Sequence, residues 1–299
     1  MDYVLHIVTL VGIYATLAVS LELATGQAGL LSIAHAALYG VGAYTTAILS
    51  TRAGVPLAVG LGCGVIVAAL ASIPLGVAAT RLRGDRFVLA TLAYQALATS
   101  LFENWLDVTG GPLGVAGVPR GVFEPPARLA NLEIACLALA LAAVTMFGTR
   151  RLSGGPYGRL MHSIRDDEVV ALSLGKNVRG TKFQVLAVSG AMAGAAGGLY
   201  ASYATFVDPY SFTLNESIAV VAMAIIGGLR TTWGPVLGAA ALVVLPEALR
   251  FSGLPHTVAG PLNQAIFGGA LVWIVMARPQ GLLGRSGEHA LGDVKGPGQ

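Results

Sequence analysis

Charge is what this sequence has least of. Of its 299 residues, 18 are Lys or Arg and 15 are Asp or Glu, which is 11% in all, against roughly 25% in an average soluble domain. With 55% apolar residues, a soluble globule of this size could not cover its surface. A disordered chain is excluded from the other side, because it needs low hydrophobicity and high charge. Alternating period-2 patterns are absent too, which excludes a transmembrane β-barrel. Cysteine is nearly missing. Cys63 and Cys136 each lie in an apolar run without a Cys-x-x-Cys partner and read as packing residues. No Gly-x-x-x-x-Gly-Lys-[Ser/Thr] phosphate loop occurs, and no nucleophile–base constellation. His6, His35, His162, His256 and His289 are scattered without metal-ligand spacing. No catalytic chemistry, metal or cofactor is expected on this chain.

What is there is apolar length. Stretches free of Asp, Glu, Lys and Arg run 3–21, 23–51, 53–80, 87–102, 134–149, 183–207, 217–229, 231–246 and 251–277. A spanning helix needs about 20 apolar residues, so these runs predict an all-α polytopic membrane protein with eight or nine crossings. The acidic start Met1-Asp2 and the lack of a small-residue cleavage site make the first run a retained helix. The solvent is mostly lipid, and the net charge of +3 reports basic loops rather than a nucleic-acid partner.

The basic residues orient the chain. Arg81, Arg83 and Arg86 cluster after the third run. Arg150, Arg151, Arg159, Arg165, Lys176, Arg179 and Lys182 fill the central loop, Arg230 sits in a short turn, and Arg278, Arg285 and Lys295 lie in the tail. Placing these segments in the cytoplasm leaves Arg52, Arg120, Arg128 and Arg250 outside, a strong positive-inside bias. The C-terminus is then inside. Nine crossings put the N-terminus outside. The run 217–229 covers only about 20 Å at 1.5 Å per residue, and a broken or re-entrant helix there is the alternative. The expected organisation is one membrane domain, 1–278, with a cytoplasmic loop at 150–182 and a tail at 279–299. The outer loop 105–129, with Gly110-Gly111-Pro112 and Pro125-Pro126, is turn chemistry.

The central loop is the most charged segment. Pro156 suits a first helical turn. Leu160, Ile164, Ala171, Leu172 and Gly175 fall at helical spacing, interrupted by Arg165-Asp166-Asp167-Glu168, and Gly175 with Asn177 reads as a helix stop. Two readings stand: an amphipathic helix on the membrane surface, or a short helix presenting an apolar knob and charges to a cytoplasmic partner. Without a phosphate loop, any ATPase that drives this chain must be another chain, and a docking helix would then be required.

The segment Tyr157-Gly158-Arg159, Ile164-Arg165, Glu168, Ala171-Leu172-Ser173-Leu174-Gly175-Lys176-Asn177 resembles the cytoplasmic loop of LivM-type permeases. These are membrane subunits of ABC importers for branched-chain amino acids. The resemblance continues through Leu31-Ser32-Ile33-Ala34-His35, Arg81-Leu82-Arg83-Gly84, Thr109-Gly110-Gly111, Trp233-Gly234-Pro235 and Arg278-Pro279-Gln280-Gly281-Leu282, in order, over roughly 20–284. It departs at Glu22, Leu30, Ala34, Ala219 and Arg230. It implies a second related permease, two cytoplasmic ATPases that hold the ATP and magnesium, and a periplasmic solute-binding protein. It also implies that Arg159, Ile164, Arg165, Glu168, Ala171, Leu172 and Gly175 form the ATPase-coupling segment, with Arg165 and Glu168 fixing the helix by charge-assisted hydrogen bonds. Urea, amides or aromatic acids are alternative solutes. An ion-coupled secondary transporter is the alternative mechanism, although most runs lack a carboxylate at mid-helix.

Ionisable groups at bilayer depth cost free energy. Glu22, Glu103, Glu133, Glu216 and Glu247 lie near run ends, where interfacial solvation is the plain reading. Glu22 and Glu216 are the candidates to meet the ammonium of an amino acid. Ser32, His35 and Tyr39 recur at three- and four-residue spacing; they either line the pathway or hold helices together. Trp233 precedes a helix start where free amides could meet an anion. Gly190, Gly194 and Gly198 repeat every four residues, which reads as close helix packing, within one subunit or against the second permease.

Overall fold

A computed structural model describes residues 2–121, 129–250 and 268–269. Arg128, His256, His289, the rest of the last apolar run and the tail with Arg278, Arg285 and Lys295 lie outside the described residues. The chain is a bundle of helices. α1 (Asp2–Glu22) continues through a π-helical turn, Leu23–Gln27. α2 (His35–Arg52) follows, then α3 (Leu57–Ala71), α4 (Ile73–Arg81), α5 (Asp85–Asn104) and the single turn α6 (Leu106–Thr109). α7 (Ala130–Ser153) leads into the charged loop, which holds α8 (Pro156–Asp166) and α9 (Glu168–Ser173). α10 (Val178–Ala204), α11 (Leu214–Gly227) and α12 (Gly234–Arg250) complete the described part. In the outer loop, β1 (Val115–Ala116) pairs antiparallel with β2 (Phe206–Val207).

Four helical segments are long and apolar enough to cross a membrane: Tyr3–Gln27, Leu57–Arg81, Ala130–Ser153 and Val178–Ala204. The chain is therefore an all-α integral membrane protein. α11 has fourteen residues, about 21 Å at 1.5 Å per residue, and pairs with α12.

The helices do not stop where charge interrupts the apolar runs. α1 runs through Glu22, α10 begins before Lys182, and α11 includes Glu216. Each of these charges has a partner inside the chain, described below, so none needs a helix end to reach water. Local signals set the starts. Pro156 opens α8, the Asn177 side chain accepts from Gly180 N at 3.0 Å to cap α10, and Thr231 Oγ1 accepts from Gly234 N at 3.1 Å where α12 begins.

The core forms where α10 crosses α2 and α3. A methyl at Gly190 would sit 3.1 Å from Ala68 O. One at Gly194 would sit 2.9 Å from Gly64 O, and one at Gly198 would sit 2.6 Å from Leu61 Cδ2. The glycine stripe thus faces α3 of its own subunit. Contact at this distance is what small residues contribute in a membrane, where packing rather than hydrophobic burial holds helices together.

Candidate functional site

The charged loop folds as a two-helix hairpin pinned to the bundle by its own charges. The sequence pattern reads as one interrupted stripe; Asp167 divides it in two. Its backbone is extended (φ −154, ψ 108), and its carboxylate accepts from Val169 N (2.8 Å) and Val170 N (3.1 Å), the cap that starts α9. Glu168 turns inward. Its Oε2 lies 2.9 Å from Lys182 Nζ and 3.2 Å from Arg83 Nε. Lys182 is buried and also donates to Ala79 O at 2.9 Å. One carboxylate therefore joins α9 to α10 and to the turn after α4. Arg165 crosses the backbone at Gly29, where a Cβ would come within 2.8 Å of its Cγ, and its guanidinium donates to the Gly26 carbonyl.

Between α8 and the bundle runs a line of hydrogen bonds. His162 Nε2–H donates to Gln27 Oε1 (2.7 Å), a tautomer fixed by the carbonyl oxygen, which only accepts. Gln27 Nε2 donates to Glu22 Oε1 (2.7 Å), and the same oxygen accepts from Arg230 N (3.0 Å). Glu22 and Gln27 are five residues apart, the repeat of a π-helical turn, so the wide turn places one over the other. Arg230 reaches Glu22 from a left-handed backbone position, φ 70. The charged loop, the end of α1 and the α11–α12 turn are thus one connected polar assembly.

Burial, then the Arg230 charge, pushes the His162 pKa below its ordinary 6.5, against the opposing pull of Asp166. A lowered folded-state pKa means the docking is fully supported above the ordinary value and weakens as pH falls through the folded one. The protection of α8 amides, measured against their intrinsic exchange rates, should therefore fall as pH drops below the ordinary histidine value, and His162→Gln should remove that fall. Unchanged acid sensitivity in the variant would refute the assignment.

Among the coupling candidates, Ile164 and Ala171 are buried with Val178 in a small hairpin core. Arg165 and Glu168 are half-buried and bonded within the chain, while Arg159, Leu172 and Gly175 are exposed. Gly175 closes α9 at φ +70 with open space around it, so the left-handed turn is what requires glycine. The apolar side chains that face outward are Val169 (59% exposed), Val170 (51%), Leu172 (44%) and Leu174 (67%). Sequence reasoning missed all but Leu172 of these, along with Lys182, Arg83, Gln27 and His162. One signal was present: α9 reads Glu-Val-Val-Ala-Leu-Ser, with four consecutive apolar residues, and a six-residue helix lying on a surface must leave some of them outward. Beneath the hairpin lies a cavity of about 570 Å³, lined by Arg83, Asp85, Phe87, Arg165 and Glu168 among others.

The other candidates lie deeper. His35 Nε2 is 2.9 Å from Ser189 Oγ, which donates to Ser20 O at 2.6 Å. Ser32 precedes α2 rather than sharing its face; its Oγ accepts from Ala34 N at 3.3 Å. Tyr39 packs its ring on Tyr200 (5.5 Å) and Phe212 (5.1 Å). Among the described residues, its hydroxyl and Glu216 Oε1 are buried without a hydrogen-bond partner. The Glu216 carboxylate is engaged by Tyr14. Trp233 is exposed. Of the pathway candidates only Glu22 is joined to the charged hairpin, through Gln27 and His162, while Ser32, His35, Tyr39 and Glu216 lie in or beside a polar interior among α1, α2, α10 and α11.

The family model for the permease component of branched-chain amino acid transport systems matches residues 3–276. The chain belongs to that family. It is 32% identical to the high-affinity branched-chain amino acid transport system permease protein LivM of Escherichia coli, covering 93% of this chain and 69% of that protein. It is 24% identical to the probable LivM of Methanocaldococcus jannaschii, covering 80% and 73%. It is 23% identical to the permease protein LivH of Salmonella typhimurium, covering 93% of both. No solved structure matches it.

Proposed function

We infer that this chain is the membrane subunit of an ABC importer that moves branched-chain or related amino acids across the bacterial inner membrane. A periplasmic binding protein delivers the solute, a second related permease completes the pathway, and two ATPases supply the energy. ATP and magnesium reside on those partners, and the chain performs no catalytic step. The observation that carries this reading is the hairpin. Glu168 and Arg165 tie it to the bundle, through Lys182, Arg83 and the Gly26 carbonyl, while Val169, Val170, Leu172 and Leu174 face outward. Such a patch is a docking surface, and rigid anchoring lets a partner's movement pass into the helices instead of being absorbed by the loop.

In this reading Arg159, Ile164, Arg165, Glu168, Ala171, Leu172 and Gly175 form the coupling segment within loop 150–182. Ile164 and Ala171 build its core, Arg165 and Glu168 its anchors, and Arg159, Leu172 and Gly175 its outer face. Residues 1–278 form one membrane domain of eight or nine crossings with the tail 279–299 in the cytoplasm. Glu22, Ser32, His35, Tyr39, Glu216 and Trp233 belong to the polar lining of the route. The unpartnered Tyr39 hydroxyl and Glu216 oxygen support this, because buried polar atoms rarely stay unpaired unless a water or ligand meets them in another state. Alternating access follows if ATP binding by the partners favours one of two arrangements.

The test is purification in mild detergent from the native host. Two phosphate-loop ATPases and a second permease should accompany the chain, and Val170→Asp with Leu174→Asp should release the ATPases. A chain that purifies alone and drives uptake from an ion gradient in vesicles would be a secondary transporter instead.

A further inference from the structure

α5 is the helix that fits its surroundings least if those are lipid. Its twenty residues are long enough to span, yet it is not among the segments apolar enough to do so. One face, Phe87, Thr91, Gln95, Ala98 and Phe102, is buried in the bundle. The opposite face is exposed, and it carries Ser100 and Asn104 besides its leucines.

Between α5 and the first turn of α11 lies a cavity of about 500 Å³, whose lining includes Leu92, Gln95, Thr99, Ser100, Glu103 and Leu214. That volume is ordinary for a site that takes a small molecule. Gln95, Thr99 and Glu103 recur every four residues and so form one polar seam. The floor of the seam is rigid. Gln95 Oε1 accepts from Ala37 N (2.9 Å) and Ser217 Oγ (3.0 Å), while its Nε2 donates to Phe212 O (2.9 Å). Among the described residues, no hydrogen bond or ion pair engages the Glu103 carboxylate. Glu103 lies in the last turn of α5, at the end that leads into the outer loop, where water or protein rather than acyl chains can meet its carboxylate.

We propose that this cavity is a solute subsite on the translocation route, in which Glu103 takes the ammonium of an amino acid, Leu214 takes its aliphatic side chain, and the second permease closes the open side. The chemistry is complementary: one carboxylate with no cation partner among the described residues, hydroxyl groups at Thr99 and Ser100, and Leu214. Ser217 bonds to the Gln95 floor and adjoins Glu216 on α11, so the subsite leads toward the polar interior. The inference rests on the importer reading above.

The test uses the full importer complex in cells and in proteoliposomes, with Cys63→Ser and Cys136→Ser as the parent and leucine as the probe. Ser100→Cys should react with a membrane-impermeant thiol reagent at least roughly tenfold faster than Phe147→Cys on the exposed face of α7, and leucine transport should slow that reaction. Glu103→Gln, nearly isosteric, should raise the KM for leucine about tenfold, the size of one lost charge-assisted contact, with co-purification of the partners unchanged. A Ser100→Cys no more reactive than Phe147→Cys, or an unchanged KM in Glu103→Gln while the parent still transports leucine, would overturn the subsite alone. A parent complex that takes up no amino acid with ATP would overturn the importer reading itself.

Discussion

Gly194→Leu is expected to prevent recovery of a folded permease. Gly42 of α2, Gly64 of α3 and Gly194 of α10 meet at one point in the core. A Cβ at Gly194 would lie 2.9 Å from Gly64 O and collide with Ala68 Cβ, and one at Gly64 would lie 2.9 Å from Gly42 O. The obstacles are backbone atoms of other helices, so no rotamer change relieves them. Overpacking a core typically costs about 1–3 kcal/mol. Here three helices must separate together, and about 3 kcal/mol or more is expected, a large share of a stability of roughly 5–15 kcal/mol. Gly194→Ala should fall between parent and Gly194→Leu. Gly62→Leu on the exposed side of α3, with nothing within 4 Å, should be silent. Size-exclusion recovery and thermal unfolding in detergent measure all three. A Gly194→Leu chain that elutes and melts like the parent would show that the α2–α3–α10 contact is looser than described.

The second large effect is expected at the other end of the molecule. Glu168→Ala leaves Lys182 buried with only the Ala79 carbonyl, and frees Arg83. Removing one partner of a buried pair costs about 3–5 kcal/mol, because the remaining charge is uncompensated. The penalty should be local, since the six-residue α9 opens more cheaply than the bundle. Amides of 168–178 should lose most of their exchange protection, the ATPases should dissociate, and the membrane helices should keep their protection. The paired variant Glu168→Leu with Lys182→Met removes both charges and should restore the protection of α9. If Glu168→Ala alone leaves exchange in 168–178 unchanged, the pair does not hold the hairpin.

The positions of these two effects divide what could be read early from what could not. The glycine stripe at 190, 194 and 198 was visible as a four-residue repeat, but a repeat names no neighbour; α3 was chosen by the way three helices cross. In the charged loop the helical tendency, the Pro156 start and the Gly175 stop were legible because they are local. The break at Asp167 is also local, an N-cap, yet it competed with a continuous apolar spacing and was hidden by it. Glu168 and Arg165 were legible as fixing groups. Lys182 was not, because its partner lies fourteen residues away across a turn, with the other half of its contacts on α4.

Composition alone determined that this chain lives in lipid, because so few charges cannot cover a soluble surface, and the order of its runs determined a bundle of helices. Where those helices end was decided by tertiary structure. Glu22, Lys182 and Glu216 interrupt the apolar runs in one dimension but lie inside helices in three. Gln27 and the Arg230 amide satisfy the first, Glu168 the second, and Tyr14 engages the third while its Oε1 stays without a partner among the described residues. A charge marks a helix end only while water is its best partner, and the partners that displaced water here come from parts of the chain that the fold alone brings together.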